Sequence, residues 1–113
     1  MTSVLDLSED HAGILRGVLR AHLPEGARAF VFGSRAHGGA RRYSDLDLAI
    51  EWDRPLGLDL LSRIAEALSE SDLPYKVDIV DLATTDPAFR LRITADCILF
   101  EAAPLAARSV DNQ

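Results

Sequence analysis

Two periods of hydrophobic and polar residues alternate along the chain, and the switches between them mark out its elements. Ile14, Leu15, Val18, Leu19 and Leu23 recur at helical spacing, which makes one face apolar. Ser8 stands before them as a cap, with Glu9 and Asp10 in the first turn, where they suit the helix dipole. Pro24 and Gly26 end that helix. Residues 27–32 form a short apolar, aromatic run that reads as a buried strand. Over residues 45–52 the period drops to two: Asp45 and Asp47 share one face, and Leu46, Leu48 and Ile50 share the other. Asp53, Arg54 and Pro55 break this strand, because proline has no donor for the ladder. Leu60, Leu61, Ile64, Ala65 and Leu68 restore the helical period over residues 58–69. Residues 75–82 are strand-like again. Asp86 as cap and Pro87 at the first position start a helix that runs to about residue 95. Residues 97–101 read as a short final strand, and residues 102–113 as a tail or partner-binding extension.

The order of elements predicts a small α/β (α+β) domain with helices packed on a mixed sheet. A length of 113 residues fits a single domain, with its core over about residues 7–101. A hydrophobic content of 48% is ample for one core, and no apolar run has the length of a membrane span. The first ten residues lack the basic and apolar regions of a signal peptide. The single cysteine, Cys97, excludes an internal disulfide framework and reads as a buried, inert thiol. A cytoplasmic protein is expected. The net charge of −6 argues against broad nucleic-acid binding, which needs a basic face. It leaves nucleotide binding open, since metal ions neutralise phosphate locally, and it suits a basic protein partner.

The candidate chemistry begins with Asp45 and Asp47. Two adjacent carboxylates repel unless something neutralises them. An oxygen-only donor pair favours Mg²⁺ or Mn²⁺ over zinc. A plain solvated strand face is the competing reading of an Asp-x-Asp pair taken alone. Gly33-Ser34 changes the balance, because a turn directly after a strand offers backbone N–H groups and a hydroxyl to phosphate oxygens. Phosphate-binding groups beside a two-carboxylate metal site describe phosphoryl transfer. Arg35, Arg41 and Arg42 screen a triphosphate, or reach an acceptor, or are solvated loop charges. Ser44 either orients the Asp45 strand or serves a plain turn. His11, His22 and His37 read as surface residues.

Gly33-Ser34, ten residues, then Asp45-x-Asp47 resembles the signature of the polymerase-β-type nucleotidyltransferase superfamily. That pattern has a third carboxylate on a later strand, which Asp78 supplies within Val77-Asp78-Ile79-Val80, an apolar run where a lone charge is costly. Asp81 has the opposite strand parity from Asp78 and is not counted. Gly-Ser-Arg-Ala-x-Gly from Gly33 to Gly38, and Ser44-Asp45-Leu46-Asp47-Leu48, are most similar to the minimal nucleotidyltransferases. In bacteria and archaea these pair as antitoxins with small helical HEPN-type toxins. The resemblance implies the nucleotidyltransferase fold, with the carboxylates on an open sheet face. It implies AMP transfer from ATP to an acceptor hydroxyl, such as a tyrosine of a HEPN-type toxin. Asp45, Asp47 and Asp78 would be the catalytic residues and would hold two Mg²⁺ ions, with Mn²⁺ an alternative. Gly33, Ser34, Arg35 and Ser44 would hold the nucleotide. The alternatives are a module that neutralises a partner by docking alone, and a two-metal phosphohydrolase.

Overall fold

The computed structural model describes residues 7–36 and 44–102, so the readings of His37, Arg41, Arg42 and the tail lie outside the described residues. The helices are α1 (Glu9–His22), α2 (Leu58–Ser69) and α3 (Pro87–Asp96). The strands are β1 (Arg28–Phe32), β2 (Leu46–Glu51), β3 (Val77–Asp81) and β4 (Ile98–Ala102). One-turn 3₁₀ segments follow β1, at Ser34–Ala36, and β3, at Leu82–Thr84. The caps form as expected: Ser8 Oγ accepts from the His11 N–H at 3.1 Å. Asp86 accepts from the Ala88 and Phe89 N–H groups at the start of α3. Among the described residues no helix is long and apolar enough to cross a membrane.

The four strands make one mixed sheet in the order β3-β2-β1-β4. β1 is antiparallel to both β2 and β4, whereas β2 and β3 run parallel and are joined through α2. Parallel neighbours need such a crossover, and α2 lies on the sheet because its apolar face demands cover. On one face α1 and α2 seal the main core, in which Leu15, Leu19, Val31, Leu46, Leu48, Ile50 and Ile64 are fully buried. Truncating a leucine so placed to alanine typically costs about 2–5 kcal/mol, which gives the scale of what holds β2 down. On the opposite face α3 covers only part of the sheet, through a small cluster of Ala49, Leu82 and Ile93 with Phe32, Val80 and Cys97 at its margin.

Cys97 departs from expectation. It is half-buried rather than buried, because it follows the last turn of α3 and packs only on the margin of the small cluster. What burial it has pushes its thiol pKa up, so the expected inertness keeps a physical basis. His11 and His22 are also half-buried, the first against Tyr75 and the second with Nδ1 2.8 Å from the Val18 carbonyl.

Candidate active site

The site is built where three chain segments meet. β1 ends at Gly33, whose φ of +77° is a left-handed conformation that glycine adopts at little cost. A Cβ there would overlap Asp47 Oδ2 and stand 3.3 Å from Asp47 Cγ, so the backbone of the turn and the carboxylate are in close approach. Ser34 follows, exposed, in the 3₁₀ turn closed by the Ala36 N–H donating to the Gly33 carbonyl at 3.0 Å.

Asp47 faces Phe32 across the antiparallel pair and Asp78 across the parallel one. Strands in a sheet lie about 4.8 Å apart, so register alone makes the Asp47 and Asp78 carboxylates neighbours. Asp45 stands just before β2 on the same face as Asp47, and is exposed. Partial burial holds the Asp47 carboxyl above the usual carboxylate range, with further contributions from the charges of Asp78 and Asp45. Asp78 meets one positive charge, Lys76 Nζ at 3.4 Å from Oδ1. Among the described residues no three His, Cys, Asp or Glu side chains are grouped so as to hold a metal ion as they stand. The chemistry of the donors nevertheless suits a hard divalent cation: carboxylate oxygens, one of them disfavoured as an anion by burial and by its acidic neighbours, beside the Gly33-Ser34 turn.

The remaining candidates separate. Ser44 sits at the start of the segment, and its carbonyl accepts from Arg35 Nε and Nη2 at 3.1 and 3.0 Å. Arg35 turns toward the protein interior. It is 5% exposed and its guanidinium lies over the Tyr75 ring. The alternative that it is a solvated loop charge is therefore corrected, since the side chain is buried and stacked on Tyr75. Asp81 is buried too, and its carboxylate accepts from the N–H groups of Leu56 at 2.8 Å and Ala83 at 3.1 Å. That makes it a clamp between the loop after β2 and the end of β3. Sequence reasoning missed Phe89 and Arg92. With Phe32, Gly33, Ile93 and Asp96 they line a cleft of about 400 Å³ beside the turn. The weakly amphipathic pattern of α3 was the only signal that this helix has an outer apolar side.

The raised Asp47 pKa has a consequence for stability. A carboxyl that titrates higher in the folded than in the unfolded state binds more protons when folded. Its contribution to stability therefore falls as pH rises from the ordinary carboxylate range through its native pKa. Metal-free Asp47→Asn is expected to be more stable than the parent at neutral pH, by on the order of 1 kcal/mol or less after solvent screening. The advantage should shrink as pH falls into the carboxylate range. Urea unfolding of both chains at several pH values checks it, and a parent more stable than the variant at neutral pH contradicts it.

Residues 17–103, well over half of the chain, match the family model for polymerase β nucleotidyltransferases. The chain belongs to this nucleotidyltransferase family. The match includes Gly33, Ser34, Asp45, Asp47 and Asp78, and membership makes a nucleotide the substrate. The chain is similar, at 44% identity over 86 residues, to a Haemophilus influenzae protein described as a probable protein adenylyltransferase, MntA. That similarity covers 76% of this nucleotidyltransferase and 75% of the relative. Among solved structures, a toxin–antitoxin complex with AMP-PNP shares its fold, with a TM-score of 0.70 at 24% identity, over 81% of this chain and 73% of that one. A chain in the solved complex of a tri-AMPylated Shewanella oneidensis HEPN toxin with an MNT antitoxin also shares the fold. There the TM-score is 0.63 at 22% identity, over 81% of this chain and 70% of the other.

Proposed function

We propose that this nucleotidyltransferase moves AMP from ATP onto a hydroxyl of a protein partner, a HEPN-type toxin, and that it acts as the antitoxin. The observation that carries the reading is the register of Asp47 opposite Asp78, with Asp45 on the same face, beside the Gly33-Ser34 turn. The probable adenylyltransferase relative supports the choice of AMP and of a protein acceptor. Asp45, Asp47 and Asp78 would hold two Mg²⁺ ions. When bound, these supply positive charge to the phosphoryl oxygens and to both the attacking and the leaving oxygen. Gly33 lets the backbone approach the β and γ phosphates, and the Ser34 hydroxyl donates to one of them. Asp78 takes the proton of the acceptor hydroxyl as its oxygen bonds to the α-phosphorus. The bond to the bridging oxygen breaks, and pyrophosphate leaves with its electrons. The chain works as one domain, in the cytoplasm, with the acceptor presented by the second protein.

The test uses ATP labelled at the α-phosphate, Mg²⁺ and the product of the neighbouring gene. Label retained on the partner protein is the expected result. Hydrolysed ATP with no labelled protein favours a phosphohydrolase. A stable complex with no chemistry favours the docking module.

A further inference from the structure

Arg35 follows the phosphate turn directly, yet its side chain turns inward. At 5% exposure it is among the least accessible charged side chains described, and arginines are rarely buried unless paired. Nε and Nη2 converge on one acceptor, the Ser44 carbonyl, at 3.1 and 3.0 Å. The guanidinium carbon stands 3.9 Å from the centroid of the Tyr75 ring. Tyr75 is buried in turn, its hydroxyl 3.1 Å from His11 Nδ1 on α1 and its ring edge-on to the histidine at 5.3 Å. The next residue, Lys76, accepts the Leu46 N–H at 2.8 Å and so begins the parallel ladder.

One side chain thus holds together the three segments that carry the site. Arg35 leaves the turn of Gly33 and Ser34. It grips the backbone one residue before Asp45. It stacks on the residue three positions before Asp78. We infer that the Arg35–Tyr75 stack, braced on α1 by His11, is a positioning device that fixes the spacing of turn and carboxylates and so sets the affinity of the carboxylates for a divalent cation. This rests on the metal-binding reading given above. A planar fork with a flat face suits both tasks, stacking and double donation, and a lysine has neither feature.

Electrostatics and positioning predict opposite signs. A guanidinium near a cation site repels the cation. Removing the charge should leave metal binding equal or tighter if charge is all that matters. If geometry matters, removing it weakens binding, and so does Arg35→Lys, which keeps the charge. Mn²⁺ alone, titrated into the full chain and followed by electron paramagnetic resonance of the free ion, is the readout. Arg35→Lys, Arg35→Met and Tyr75→Leu are each expected to bind Mn²⁺ about tenfold more weakly, the scale on which outer supports of metal ligands act. Arg35→Met/Tyr75→Leu should be no weaker than either single change. Ile64→Val, which loosens the same core without touching a member of the stack, should bind as the parent does. Tyr75→Phe keeps the ring and loses the hydroxyl that meets His11, so a smaller loss is expected there, and it carries the test if the Arg35 variants fail to fold. Arg35 variants that bind Mn²⁺ as well as the parent or better overturn the inference, as does an equal loss in Ile64→Val. A parent that binds no Mn²⁺ overturns the metal reading and this inference with it. A parent that binds, with Tyr75→Phe and Tyr75→Leu unchanged, overturns this inference alone.

Discussion

Gly33→Val is expected to fold and yet to lose nucleotidyl transfer by about a hundredfold or more, the cost of misplacing a reacting group by an ångström or so. Two effects act together. The φ of +77° strains a branched residue, at about 1–2 kcal/mol. The new Cβ also occupies the place of Asp47 Oδ2. The aspartate side chain is the softer partner in that overlap, so it rotates away, and the cost falls on the site more than on the fold. Gly33→Ala carries the same Cβ and should therefore already lose much of the activity, with less strain. Thermal melts and the α-labelled transfer assay on both variants check this. A folded Gly33→Val within a few-fold of the parent would remove the close approach of turn and carboxylate from the mechanism.

Asp78→Asn should spare most ATP binding and lose transfer by about 10²–10⁴-fold, the range that a positioned base contributes. The competing account is visible in the structure, since Asp78 makes an ion pair with Lys76 at 3.4 Å. Both side chains are well exposed, at 43% and 72%, and such pairs contribute about 0–1 kcal/mol. Lys76→Ala separates the two accounts. If Asp78 serves the pair, the two variants behave alike and transfer barely changes. If it serves the reaction, only Asp78→Asn is impaired at saturating ATP. A folded Asp78→Asn with near-parental transfer would leave the docking module as the better reading.

Much of the fold was legible because each element advertises its period. α2 occupies Leu58–Ser69 as its apolar spacing required, and parity alone put Asp45 and Asp47 on one face and set Asp81 apart from Asp78. β2 and β3 are shorter than their sequence runs, since the ladder between them starts only at Leu46 and Val77. Register was not legible. Nothing local states that Asp47 stands opposite Asp78 rather than one residue along, because that depends on the crossover length and on how α2 settles on the sheet. Nor was Arg35. Its burial needs Tyr75, forty residues away in the chain and with no pattern linking the two.

The strand order has a further effect. Among the described strands β3 has a neighbour on one side only, β2, and it is the strand that carries Asp78. A sheet margin with free backbone groups invites a second chain to add itself, and charged side chains on the margin discourage that. Lys76 and Asp78 occupy this position. On the proposed function the third carboxylate thus has two tenants' duties at one address, chemistry on its face and solubility at its border. Selection for either keeps the other, and a chain that gave up catalysis while remaining an abundant, unaggregated protein would still be under pressure to hold a charge there.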